Sequence, residues 1–440
     1  MTGLPGAAMR ACGDIRVSGE RIEAIGRLEP QPGERVIDAG GCIVYPGWVN
    51  THHHLLQSLM KGVPGGLNAP LNAWLAAVPY KLRSDYDAKM LETAALLGLA
   101  ELVLSGCSTV VDFHNLYWKR MPFDGAAILF AAAEKIGMRL VLCRGSQTGK
   151  RSLGTASIDA LEPESLDDIL KDIERTAARF HDPKPDARRR VVAGPTTPTF
   201  SMKPEEIKVF AQEARRLGLR LHSHLSEIDE FVTFCRDKYR MRPVEFCAEH
   251  GWVGSDVWFA HLVHVDASEI RLLAQTGTGI AHCPGSNCRL GSGIAPVPEM
   301  AAAGMPVSLG QDGGACNEPG DMVSEAHIAW YVHRARSGAT VVTPEDVIRW
   351  GTAGGAAVTG IGDVGTLAPG KCADLAVYKL DDLRFAALHD RAIAPVATGV
   401  RPHLKLLLVG GRSVVEDDRL TGLDTDALAA RVREAVVKLG

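Results

Sequence analysis

The sequence predicts an α/β fold, a (β/α)8 TIM-like barrel with a small β-sandwich domain formed from both chain ends. Three observations predict it. From residue 43 to about 335, short β-rich runs alternate with helical patterns, the signature of repeated βα units around a parallel sheet. Both flanks instead alternate apolar and polar residues between turn residues. Histidines and carboxylates recur at the ends of the predicted strands, where barrels of this kind carry their reactive groups. A chain of 440 residues has room for one barrel with a modest addition.

The barrel strands are expected near Ile43–Asn50, Ser108–His114, Arg139–Arg144, Arg189–Thr196, Arg220–His224, Val257–His261, Gly279–Pro284 and Pro306–Asp312. Between them the helical logic is plain in 204–217. Ile207, Phe210, Ala214 and Leu217 recur on one face, Pro204 and two glutamates suit the start, and Gly218 suits the stop. Before the barrel, "DIRVSGERIEAIG" and "ERVIDAGGCIVYPG" read as strands, as do "GTLAPGKCADLAVYKL" and "LKLLLVGGRSVVEDDR" after it. The expected division is residues 1–46 and 363–440 for the sandwich and 47–362 for the barrel. Residues 343–360 read as a helical connector, and 424–440 as an amphipathic closing helix.

Charged residues make up 23% and the formal net charge is −4, so neither nucleic acid nor an anionic membrane is favoured as a partner. A small molecule is the expected partner. The first twenty residues lack a basic, then apolar, signal-peptide pattern, and no apolar run reaches the ~20 residues of a membrane span. Ten cysteines are scattered without CxxC spacing, which suits free thiols and a cytoplasmic setting.

The chemistry begins at "YPGWVNTHHHLLQS". Alternation puts His52 and His54 on one face of the strand and His53 on the other. Strand 5 ends in "HSHLSE", with His224 and Glu227; strand 6 in "FAHLVH", with His261; strand 8 in "SLGQDGG", with Asp312. So many polar groups at one barrel mouth need compensation for their burial, and a divalent cation supplies it. His52, His54, His224 and Asp312 form an N/O ligand set that suits one Zn²⁺, with Fe²⁺ or Mn²⁺ fitting the same environment. His53, His222, His264 and His282 are expected to face the barrel wall or satisfy local hydrogen bonds, and His114 to end near the rim. Asp112 is expected to support a ligand rather than be one.

The runs "PGWVNTHHH", "HSHLSE", "FAHLVH", "AHCPGSNCRLGSGIAPV" and "LGQDGGACNEPGDM" resemble, in order and spacing, the barrel motifs of the amidohydrolase superfamily, in its cytosine/guanine deaminase-like branch. The resemblance implies a metal-dependent aminohydrolase acting on cyclic amidines. It gives His52, His54, His224 and Asp312 as metal ligands, Glu227 as proton shuttle, and His261 and Asp312 as groups acting on the hydrolytic water. Members with a metal pair carry a bridging lysine on strand 4. "RRVVAGPTTPTF" has none, which implies a single ion. Relatives in this branch often form homodimers.

Within the branch, the full-length pattern looks most like the isoxanthopterin deaminases, close relatives of the 8-oxoguanine deaminases. After "RGS" the chain continues "QTGKRSLGTAS", without the segment associated with the 8-oxoguanine group. Gln57 resembles the glutamine that reads a lactam edge through its donor and acceptor, and Trp74 offers a face on which a planar ring stacks; both residue types serve equally well in a helix start or a core. Alternatives are an 8-oxoguanine or guanine-type deaminase, a triazine hydrolase, and a non-catalytic scaffold. The last usually loses metal ligands, which this chain retains.

Overall fold

The computed structural model describes residues 1–150, 152–153, 156–157 and 159–439, the two short pairs by backbone alone. Within the 147–157 stretch that the sequence comparison of the two deaminase groups turns on, residues 151, 154 and 155 lie outside the described residues. The barrel strands are β1 (Trp48–His54), β2 (Cys107–His114), β3 (Arg139–Ser146), β4 (Arg189–Pro195), β5 (Leu221–Leu225), β6 (Val257–His261), β7 (Gly279–His282) and an interrupted β8 (Val307–Leu309 and Asp312–Gly313). Successive strands pair in parallel. Asp312 and Gly313 pair back onto His53 and His54. The sheet therefore closes on itself, and every C-terminal strand end reaches one mouth.

Two strands differ from the sequence expectation. The run predicted over 43–50 belongs to two sheets. Cys42–Pro46 pairs antiparallel with Leu375–Lys379, and β1 starts at Trp48. Gly47 makes the passage possible: a Cβ there would lie 2.5 Å from Ser108 Oγ. The three histidines consequently lie within β1 rather than after it. The run predicted over 306–312 is broken at Gly310, where a Cβ would come within 2.8 Å of the His52 Cβ.

Inside the barrel, Val49, Val111, Val141, Val192, Trp258 and Ala281 form an apolar layer beneath the mouth. The segment expected to connect the domains is helical, as Pro344–Arg349, a π turn Trp350–Gly354 and Gly355–Thr359. It is a packed plug rather than a free linker. Cβ atoms at Gly351 and Gly355 would collide with Trp48 and Val49 at 2.7 and 2.6 Å. The helix over 204–216 forms as expected, burying Ile207, Phe210 and Ala214, and Gly218 follows at φ +71°.

Beside the barrel, a five-stranded antiparallel sheet runs in the order 419–420, 412–416, 404–409, 375–379, 42–46. The hairpin Asp14–Ser18/Arg21–Gly26 covers it, Ile22 packing with Leu375, Val377 and Leu406. The two chain ends thus share one small sandwich. The helix Thr425–Leu439 returns to the barrel, where Arg431 pairs with Glu92 at 3.0 Å. All ten cysteines are free. Among the described residues no helix is long and apolar enough to cross a membrane.

Candidate active site

Four barrel strands bring the predicted residues together. His52 and His54 project inward from β1, His224 from β5, His261 from the end of β6, and Asp312 from the second piece of β8. All five are at most partly exposed, and His52 is fully buried. Asp312 Oδ1 stands 3.5 Å from His52 Nε2 and 3.3 Å from His54 Nε2. His54 Nε2 and His224 Nε2 face each other at 3.2 Å. One ligand atom from each of His52, His54 and His224, and likewise from each of His52, His261 and Asp312, lies within 4.8 Å of the others.

The backbone decides which nitrogen of each ring carries the proton. His54 Nδ1 lies 2.7 Å from the Phe113 carbonyl and His224 Nδ1 2.8 Å from that of Thr196, so each donates there and keeps a lone pair on Nε2. His52 is set by a relay. His222 donates from Nδ1 to the Trp258 carbonyl at 2.9 Å, so its Nε2 accepts from His52 Nδ1 at 2.8 Å. Three Nε2 lone pairs then converge with no proton between them, and His52 Nε2 has no hydrogen-bond partner. Burial drives His52 down to about 4 and His224 well below its ordinary value, which keeps both neutral at pH 7. The Asp312 carboxyl is held well below its ordinary value, and Ser286 Oγ and the Gly313 N–H donate to its Oδ2 and Oδ1 at 2.6 and 2.8 Å, hydrogen bonds that favour the ionised form. Facing lone pairs beside a buried anion are repulsive unless a cation sits among them. The donor set fits one divalent ion of the zinc type.

Glu227, two residues beyond β5, places Oε2 3.7 Å from His261 Nε2, which is 3.9 Å from Asp312 Oδ2. The backbone bends sharply here: Ser226, His261, Leu262 and Asp312 are non-glycine residues at positive φ, between 46 and 74°. Such conformations are costly and persist where packing over-determines them.

Above these groups opens a cleft that Gln57 and Trp74 line together with Glu227 and His261. Gln57 is 3% exposed and its Oε1 has no hydrogen-bond partner. Trp74 donates Nε1 to the Ala315 carbonyl at 3.1 Å, which leaves its ring as a wall. Asp112 stands outside the ligand-atom groups; its Oδ1 accepts from the Leu55 N–H at 2.8 Å and so anchors the turn Leu55–Leu59 that carries Gln57. Burial pushes the Asp112 carboxyl up to about 7.

Other expectations divide. His53 faces outward and contacts the Asp312 carbonyl at 2.5 Å. His264 and His282 make local contacts with the Ser292 carbonyl and His333. His222 likewise makes local hydrogen bonds, to the Trp258 carbonyl and His52, but from inside the barrel: it shares its parity with His224, and its ring stacks on Trp258 with centroids 4.5 Å apart. His114 packs beside Tyr117 rather than lining the cleft. Sequence reasoning missed Tyr80, Arg83, Asn115 and Phe231 in the cleft wall, because they come from excursions after barrel strands with no motif to flag them. It also missed Ser286 and Asn287, although "AHCPGSN" was within the family motif.

Fold and site together define a barrel whose mouth is built to hold a divalent cation, with the carboxylate of Glu227 beside it. The chain belongs to the Amidohydrolase family, whose model matches residues 43–414. It is 53% identical over 441 residues to an isoxanthopterin deaminase from an unknown prokaryotic organism, covering 97% of this chain and 92% of that protein. It is 39% identical over 433 residues to the 8-oxoguanine deaminase of Pseudomonas aeruginosa, covering 98% and 95%. Among solved structures, atrazine chlorohydrolase from Arthrobacter aurescens complexed with zinc aligns with a TM-score of 0.89 at 29% identity, covering 96% of this chain and 94% of that one.

Proposed function

We propose that the protein is a zinc-dependent hydrolytic deaminase of an amino-substituted fused heterocycle, with isoxanthopterin as substrate, replacing its 2-amino group by a carbonyl and releasing ammonia. The observation that carries this reading is the convergence of three unprotonated Nε2 atoms and Asp312 beside Glu227 and His261. The 53% identity to an isoxanthopterin deaminase supports the choice of ring.

His52, His54, His224 and Asp312 would hold the ion. When bound, it supplies Lewis acidity that makes water a nucleophile near neutral pH. The chain's own groups manage the protons. Asp312 and His261 Nε2 accept the proton lost by the attacking water. Glu227, in its acid form, protonates the ring nitrogen next to the amino-bearing carbon and is recharged with the proton taken from the water. It then protonates the amine, and as the C–N bond breaks and ammonia leaves, the new hydroxyl gives up its proton to Glu227 and becomes the carbonyl. Trp74 stacks on the ring plane, and the Gln57 amide offers Oε1 to a lactam N–H and Nε2 to its carbonyl. Ten unpaired cysteines support a cytoplasmic setting.

Two variants test the supporting residues. His222→Ala removes the acceptor that fixes the His52 tautomer. It is expected to weaken zinc affinity by about 10–100-fold, measured by chelator competition; unchanged affinity would remove the relay from the account. Gly313→Ala brings a Cβ to 1.9 Å from Gln57 Oε1 and must displace the amide. Loss of one such hydrogen bond is worth about 1 kcal/mol, so KM should rise by about fivefold with zinc content unchanged.

The reading as a whole is tested by ammonia release from isoxanthopterin, 8-oxoguanine, guanine and cytosine measured side by side on zinc-replete protein. Preference for isoxanthopterin is the expected result. Preference for 8-oxoguanine, the reading favoured by the 39% relative, would move the substrate to a purine and leave the proton transfers in place. No ammonia from any of the four would overturn the deaminase reading.

A further inference from the structure

The turn between β7 and the helix Pro284–Arg289 touches both groups assigned above as proton acceptors. Ser286 Oγ donates to Asp312 Oδ2 at 2.6 Å, which leaves Oδ1 to face His52 and His54. The next residue, Asn287, is 1% exposed, and its Oδ1 lies 2.9 Å from His261 Nδ1. Because an amide oxygen only accepts, Nδ1 carries a proton, and in the neutral ring Nε2 then holds the lone pair. That lone pair faces Glu227 and Asp312.

The turn itself is fixed from behind. Gly285 donates its N–H to Glu325 Oε1 at 2.9 Å, and a Cβ at Gly285 would stand 2.7 Å from Glu325 Oε2 and 2.5 Å from Asn317 Nδ2. Asn317 Nδ2 bridges Glu325 Oε2 at 2.6 Å and the Gln311 carbonyl at 2.8 Å. The same buried carboxyl thus ties down the turn carrying Asn287 and the loop flanking Asp312. His261 sits at φ +74°, a conformation that needs such over-determination.

We propose that Asn287 is a positioning residue that holds His261 as the Nδ1–H tautomer, so that its Nε2 is a proton acceptor between Glu227 and Asp312. The inference rests on the deaminase reading for its consequence, but not for its geometry. If the other end of the amide faced the ring, Nδ2 would donate and His261 would carry its proton on Nε2, where it has no capacity to accept.

The direct test is ¹⁵N NMR of histidine-labelled protein, zinc-free and zinc-loaded, with the His261 signals identified by their absence in His261→Gln. The expected result is a protonated Nδ1 and a pyridine-like Nε2 in wild type; a protonated Nε2 would overturn the proposal. Asn287→Leu removes the acceptor and is expected to lower kcat by about 10–100-fold, with KM and zinc content little changed and the fixed tautomer lost. Asn287→Asp keeps an acceptor and should restore the wild-type tautomer. Asn287→Leu with the wild-type tautomer retained would equally contradict it. Absence of deaminase activity in the wild type would instead overturn the functional reading and leave the tautomer measurement standing.

Discussion

Glu227→Gln is expected to keep its fold and zinc while losing about 10²–10⁴-fold in kcat. Glu227 stands beside His261 Nε2 at 3.7 Å and outside the cluster formed by His52, His54 and His224. It therefore has access to the reacting ring without being needed to hold the ion. Glutamine fills the same volume and retains an acceptor and a donor, but it cannot shuttle a proton from one position to another. An amine leaves a tetrahedral carbon readily only after protonation, so the loss should fall on kcat rather than KM. Metal analysis and circular dichroism accompany the kinetics, so that an inactive variant with native zinc separates chemistry from assembly. Full activity in Glu227→Gln would falsify the assigned role.

Removing the metal should have an effect as large. Zinc-free protein is expected to release no ammonia above background and to recover when zinc is returned. Its melting temperature should be lower, because a ligand that binds only the native state adds stability, about 4 kcal/mol when present at ~1,000 times its Kd. His224→Ala is expected to resist recovery. It deletes one of the two Nε2 atoms that face each other at 3.2 Å, and without it β5 supplies no imidazole beside His54. Zinc-free protein as active as the loaded form would contradict the metal assignment outright.

How much of this was legible in the sequence follows from the physics of each residue. His52 and His54 were legible because alternation along a strand is rigid: parity alone puts them together and sends His53 away. The same rule applied to β5 pairs His222 with His224 on the inward face, but the relay to His52 needed the 2.8 Å contact between β5 and β1. The barrel was legible because each βα unit must bury its own apolar stripe, as Ile207, Phe210 and Ala214 do. The break at Gly47 was not, since Tyr45, Trp48 and Val49 form one apolar run, and only the approach of Ser108 shows why a glycine divides it. Arg83 and Asn115 were hidden for a different reason. Their place in the cleft depends on how two excursions fold over the mouth, which no local period encodes. Asn287 needed distances: its motif was recognised, but only its contact with His261 gives it a role.

The most direct test of the central claim is to turn over isoxanthopterin in ¹⁸O-labelled water on zinc-replete enzyme, counting ammonia and reading the mass of the product. The account predicts one ammonia per substrate consumed and one labelled oxygen in the product at the carbon that carried the amino group. Consumption of isoxanthopterin without ammonia, or a product without the label, would contradict hydrolytic deamination at this site.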